Sequence, residues 1–318
     1  MSFWTTIFET VLILERKEVV KTTFALLLLL FPSLGFAQEK LVSVNGVNIN
    51  VFVKGMEGRA KGSPVIVFEN GMGVDLGSWN MVLDSIASFA PVVAYDRAGM
   101  GKSEVVFEMP TIQFVNETLH TLLDKLEIPP PYILVGHSFG AVYIRSYAGR
   151  YPDETAGLVF VDPADFTETK DDWNDIFRTI GVSEAKIEEM ITKRLYQPSK
   201  VDSVNFGPWS EGEVLRELRR NDFEEISRLT LPNVPIYFFV GGKFDVPVER
   251  RSKDFDQEQF FHVKNNSNME RWKKLIYASD KGGALIYLTN SGHYIQWDEP
   301  QSLIANIKVL VDSLKEKR

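Results

Sequence analysis

At 318 residues the chain can bury a full hydrophobic core, as one large domain or as a domain carrying an insertion. Its formal net charge of −8, with no basic run, argues against nucleic acid or an anionic membrane surface as the main partner. The lack of any cysteine excludes disulfides, thiolate metal sites and a cysteine nucleophile.

Residues 1–37 read as an export leader. Lys21 precedes an apolar run over 24–31, Pro32 follows, and Gly35-Phe36-Ala37 gives a small-residue ending with cleavage before Gln38. The uncharged stretch 22–37 spans 16 residues, short of the ~20 that a membrane-crossing helix needs. The expectation is export to the periplasm or the medium with no stable membrane span; an uncleaved N-terminal anchor is the alternative. A lipid anchor would need a cysteine, which the chain lacks. Residues 1–19 exceed what a leader requires, and a start at Val20, directly before Lys21, would remove them.

From residue 41 onward, strands alternate with helices. Residues 41–44 and 47–53 flank Asn45-Gly46, a preferred two-residue turn of a β-hairpin. Short apolar runs follow at 65–68, 92–95, 133–135, 158–161, 236–240 and 284–288. Apolar on both faces and β-branched, they suit a parallel sheet covered by helices. Helical spacing occupies 111–126, 140–151 and 300–315. This alternation implies an α/β fold, a mostly parallel central sheet with helices on both faces and right-handed crossovers.

The rhythm breaks once. Between Pro163 and Pro232 no strand pattern occurs, only charged segments with helical spacing, as at 183–195 and 211–229. About seventy residues is too long for an ordinary connection. The domain plan is therefore a core of 38–162 and 233–318, with 163–232 inserted as a helical lid. The aromatics Trp173, Phe177, Phe206 and Trp209 could line an acyl pocket or pack the lid itself.

The chemistry gathers around one serine. The strand ending at Val135 runs into Gly136-His137-Ser138-Phe139-Gly140, and a helix follows. Glycines at both ends let the backbone turn sharply and let strand and helix approach. Ser138 then stands at the tip, near the positive end of the helix. A serine hydroxyl needs a base, and the chain has four histidines. His137 sits inside the turn and cannot reach round to Ser138, His120 lies within a helical stretch, and His262 lies in a charged segment between two strands. His293 follows the last strand and lands at the sheet edge where Ser138 stands, so it is the expected base.

The third member should be a carboxylate beyond an intervening strand. Asp162 follows the strand at 158–161 and Asp245 follows the one at 236–240; the order Ser…Asp…His permits both. Asp245 is the expected acid, because its strand directly precedes the histidine strand in sequence. Asp162 is the alternative. Backbone donors for an oxyanion are expected at Phe139, after the nucleophile, and at Met72 in Asn70-Gly71-Met72-Gly73, after an early strand.

These features, in this order, resemble the α/β-hydrolase superfamily in its esterase-like serine branch, from about Leu41 to the C-terminus. Glu69-Asn70-Gly71-Met72-Gly73, the segment Tyr95-Asp96-Arg97-Ala98-Gly99-Met100-Gly101-Lys102-Ser103, the serine turn, Gly241 to Asp245 and Ser291-Gly292-His293 carry the resemblance. The family's oxyanion loop usually reads His-Gly; Asn70 in the histidine position keeps the backbone donor but drops a side chain that often supports the loop. Asp96-Arg97 and Ser103 match a structural turn of the family and take no catalytic role. Epoxide hydrolases and haloalkane dehalogenases of the fold carry Asp as nucleophile, so Ser138 excludes their chemistry. The resemblance implies two-step acyl transfer on a small ester or related acyl substrate, with no metal or organic cofactor. Serine carbon–carbon hydrolases, haloperoxidase-like enzymes and a non-catalytic binding protein are the alternatives. A lipase working at lipid surfaces fits less well, since the lid is charged throughout.

Overall fold

A computed structural model describes residues 38–316. The expected leader over 1–37, its cleavage site and the alternative start at Val20 lie outside the described residues. Eight strands form one sheet: β1 (Gln38–Val44), β2 (Val47–Lys54), β3 (Val65–Glu69), β4 (Val92–Tyr95), β5 (Tyr132–His137), β6 (Thr155–Val161), β7 (Ile236–Gly241) and β8 (Gly283–Leu288), in the order β1-β2-β4-β3-β5-β6-β7-β8. β1 and β2 are antiparallel, as are β2 and β4; every other neighbour pair is parallel. Asn45 and Gly46 both have positive φ, 51° and 87°, as the hairpin turn requires.

Helices cover both faces: α1 (Asn80–Ala87), α2 (Ile112–Lys125), α3 (Gly140–Arg150), α4 (Lys170–Thr179), α5 (Glu184–Ile191), α6 (Phe206–Arg220), α7 (Glu224–Ser227), α8 (Gln257–Tyr277), α9 (Ile295–Asp298) and α10 (Pro300–Glu316). The strand alternation divides the core into two layers. Val65, Val67, Leu134, Leu158 and Phe160 pack with α2, α3 and Trp272 of α8 on one face. Ile66, Phe68, Ile133, Val135 and Val159 pack with Val82, Leu83 and Ile86 of α1 and Leu303, Ile307 and Leu310 of α10 on the other. Each such buried aliphatic side chain contributes about 1.5–3 kcal/mol. β5 lies inside the sheet between β3 and β6, so the nucleophile turn rests on its most enclosed part.

Between β6 and β7 the chain passes through α4 to α7, and no strand occurs there. Thr169 opens α4 with a capping box: its hydroxyl accepts from the Asp172 amide, and the Asp172 carboxylate accepts from the Thr169 amide. Trp173 and Phe177 pack with Ile187, Phe255 and Phe260, which joins this insert to the start of α8. The 21-residue α8 is the element the apolar pattern concealed. Only Asn268 and Trp272 along it are buried, so its sequence reads as a charged segment although Asp256 caps its first turn. Among the described residues no helix is long and apolar enough to cross a membrane.

Candidate active site

β5 passes straight into α3 through Ser138 and Phe139. Ser138 takes φ of 52°, a left-handed conformation that costs a non-glycine residue about 1–2 kcal/mol. The turn is held by the Ser138 amide donating to the Val161 carbonyl (3.0 Å) and by the Ser138 carbonyl accepting from Ala141 (3.1 Å) and Ala164 (2.9 Å). A Cβ at Gly136 would come within 2.7 Å of the Gly140 carbonyl oxygen, and one at Gly140 would run into the Glu69 and Asn70 carbonyls. The two glycines are therefore required by contact, and the strain at Ser138 turns its hydroxyl outward.

His293, in the loop after β8, reaches back to this serine. Its Nε2 lies 3.0 Å from Ser138 Oγ, and its Nδ1 lies 2.6 Å from Asp162 Oδ2. Asp162 directly follows β6, the strand beside β5, and its Oδ1 accepts from the Gly241 amide at 2.9 Å. The carboxylate is thus fixed at one oxygen and directed at the imidazole with the other. The choice of Asp245 is corrected. That residue lies four positions beyond the end of β7, is exposed, and pairs with Lys243 at 3.0 Å. Adjacency in sequence to the histidine strand misled, because the β8 loop folds back across the end of β7 and meets β6.

His137 plays a supporting part. Its ring is buried between the loop of Gly71 and the loop of His293, and its Nε2 lies 2.8 Å from the His293 carbonyl oxygen, to which it donates when protonated there. A Cβ on Gly71 would approach His137 Nδ1 to 2.8 Å. Burial, with the nearby His293 adding to it, pushes the His137 pKa down to about 3. The ordinary value in an unfolded chain is about 6.5. The unfolded state then binds the extra proton, so His137 favours folding fully only above about pH 6.5, and that contribution fades as pH falls toward the folded value. Stability should drop by about 2 kcal/mol between pH 7.5 and pH 5 on this account. Urea unfolding at the two pH values should show that loss in the wild type and a loss smaller by this amount in His137→Gln. Equal losses would remove the assignment.

The Asn70–Gly73 loop comes down beside Ser138, with Gly71 against the Ser138 Cβ. Asn70 does support this loop: its Nδ2 donates to the Tyr95 carbonyl at 2.7 Å. Arg97 does more. Its Nη1 donates to the Asn70 carbonyl (2.8 Å) and its Nη2 to the Gly71 carbonyl (2.7 Å). The same guanidinium meets Glu69 and Glu211, each at 2.5 Å, and all three side chains are buried. Glu211, from α6 of the insert, also accepts from the Gly73 amide at 2.8 Å. Burial pushes the Glu69 carboxyl up, against the pull of Arg97 and a hydrogen bond from the Tyr95 hydroxyl. Asp96 and Ser103 do build a turn, with Asp96 accepting from the Leu76 and Lys102 amides.

Met72, Ser138, Phe139, Asp162 and His293 line one cleft of about 610 Å³, together with Leu195, Leu215, Arg194, Arg216 and Arg219 of the insert and Phe261 and Lys264 of α8. That volume suits a small molecule. Phe206 and Trp209 are not among its lining residues and instead contact each other, while Trp173 and Phe177 belong to the insert's own packing. His120 lies 3.0 Å from Glu154, and His262 is exposed on α8.

Comparison with known proteins bears on the family and the fold. The family described as alpha/beta hydrolase fold matches residues 64–202. The uncharacterized protein YqjL of Bacillus subtilis (strain 168) is 36% identical over 235 residues, covering 74% of this chain and 78% of that protein. The chain belongs to the α/β-hydrolase superfamily. With membership comes the coarse activity, hydrolysis. The 1-acylglycerol-3-phosphate O-acyltransferase of Arabidopsis thaliana is 28% identical over 167 residues, covering 49% of this chain and 38% of that protein. Solved structures share the fold, among them the next two. An epoxide hydrolase variant of Vigna radiata superposes with TM-score 0.59 at 16% identity, covering 87% of this chain and 99% of that one. The carboxylesterase CesB (YbfK) of Bacillus subtilis superposes with TM-score 0.52 at 15% identity, covering 86% and 91%.

Sequence reasoning passed over Arg97, Glu211 and the arginines of the insert. A turn motif hid the first, and the others lay in a segment read only as charged. Arg216-Glu217-Leu218-Arg219-Arg220 carried the available signal, since residues three apart share one face of a helix.

Proposed function

We propose that this protein is a serine hydrolase that cleaves a carboxylic ester, or a related acyl bond, of a small soluble substrate through an acyl-enzyme on Ser138. The observation that carries the proposal is the hydrogen-bonded series from Ser138 Oγ through His293 to Asp162, at 3.0 and 2.6 Å. His293 Nε2 takes the hydroxyl proton while Oγ attacks the carbonyl carbon. Asp162 accepts from Nδ1–H and stabilises the imidazolium that forms. The Met72 and Phe139 amides hold the tetrahedral oxyanion, at about 3 kcal/mol for each donor. Collapse expels the alcohol with the proton from His293. Water, deprotonated by the same base, then attacks the acyl-enzyme and frees the acid. Every step uses groups of this chain and needs neither metal nor organic cofactor.

The insert over 163–232 serves as the lid, supplying side chains to the cleft and bracing the oxyanion loop through Glu211. Export by the leader over 1–37 belongs to the same proposal. Acyl transfer would differ only in the second step, with an alcohol replacing water, and the likeness to an acyltransferase across 49% of this chain favours it as the second reading. The test is a panel of p-nitrophenyl esters of rising acyl length, run on wild type and on Ser138→Ala. Release of p-nitrophenol by the wild type and its loss in the variant support the proposal; equal rates defeat it. Added alcohol acceptor separates the readings, since an acyltransferase would yield the new ester in place of the free acid.

A further inference from the structure

The cleft beside Ser138 is lined by four cationic side chains, Arg194, Arg216, Arg219 and Lys264, in a chain of net charge −8. Two of them are neutralised. Arg216 pairs with Glu213 at 2.9 Å, and Lys264 with Glu168 at 2.5 Å. The other two are not. Among the described residues no hydrogen bond or ion pair engages the guanidinium of Arg194 or Arg219, and Nε of Arg219 is buried with its donor unused. Their guanidinium carbons instead sit over the same Trp173 ring, 4.6 and 5.3 Å from its centre. Glu168 lines a small crevice with the pair and attracts both charges through space, but its bond to Lys264 already engages it. Burial, with Arg194 adding to it, pushes the Arg219 pKa down to about 10, so the group stays charged at neutral pH.

Two like charges brought together with spare donors are costly unless an anion spans them. We infer that Arg194 and Arg219 bind an anionic group, carboxylate or phosphate, of an ester whose scissile carbonyl lies at Ser138. Planar guanidinium groups present paired donors suited to either oxyanion. Leu195, Leu215 and Phe261 line the same cleft and suit a short apolar stretch joining the two ends of such a molecule. This inference rests on the serine-hydrolase reading only for where the bond is cut.

The test compares monomethyl glutarate with dimethyl glutarate, which differ by one negative charge, by following methanol release. The wild type should favour the monoester in kcat/KM by about tenfold or more at low salt, with the preference shrinking as salt rises. Arg194→Gln and Arg219→Gln should each narrow the ratio, and Arg219→Lys should restore part of it. A wild-type ratio of one or less, or a ratio unmoved in both Gln variants, would overturn the inference while leaving ester hydrolysis standing.

Binding of glutarate and of inorganic phosphate, measured by calorimetry on the wild type and Arg219→Gln, separates the two anion classes and does not depend on turnover. Weaker binding of either anion to the variant supports the site even if Ser138 proves inert. No binding of either to the wild type overturns it.

Discussion

Ser138→Ala should lower kcat for ester hydrolysis by about 10⁶, Asp162→Asn by about 10⁴, and Asp245→Asn by no more than about twofold. The first removes the nucleophile. The second is nearly isosteric, and its amide oxygen can still accept from the Gly241 amide that Asp162 Oδ1 now engages at 2.9 Å. The fold should therefore survive while the imidazole loses its charged partner. A neutral amide facing His293 Nδ1 cannot stabilise the imidazolium and favours the tautomer that cannot accept the serine proton. Asp245 has a surface lysine for a partner and no contact with His293, so its loss should cost at most a weak exposed ion pair. Steady-state rates of the three variants decide between the acids. Loss of activity in Asp245→Asn with retention in Asp162→Asn would reverse the assignment.

Arg97→Met should destabilise the fold by about 3–5 kcal/mol. The change strands two buried carboxylates, Glu69 and Glu211, with no cation between them. It also removes the donors to the Asn70 and Gly71 carbonyls, on which the position of the Met72 amide depends. Besides the lower stability, kcat should fall by as much as about 10² at temperatures where the protein is folded. Adding Glu69→Gln and Glu211→Gln to Arg97→Met should recover part of the stability, because it removes the uncompensated charges. It should not recover kcat, since the loop carbonyls stay unpaired. Chemical unfolding and ester turnover on the single and triple variants separate these effects. A single variant as stable as the wild type would show that the buried trio does not brace the loop.

What the sequence disclosed and what it hid follow from the range of the forces involved. Ser138 was legible because a strand, a glycine-flanked turn and a helix are local, and the positive φ at Ser138 is the strain that pattern encodes. His293 was legible by elimination among four histidines. The acid was not, because choosing between Asp162 and Asp245 depends on how a loop after an edge strand folds across its neighbours. Sequence order carries no information on that crossing. The helix α8 escaped notice because it rests only a narrow stripe on the core. Arg97 was assigned to a turn from its motif, yet its partner Glu211 stands 114 positions away in the insert, beyond the reach of any local pattern.

The central claim is that Ser138, activated by His293 and Asp162, is the nucleophile. Labelling with a fluorophosphonate, followed by peptide mass spectrometry, tests it most directly. The account predicts one adduct, on Ser138, absent in Ser138→Ala, formed much more slowly in Asp162→Asn and at the wild-type rate in Asp245→Asn. An adduct on another residue, or none on folded wild-type protein, would contradict it.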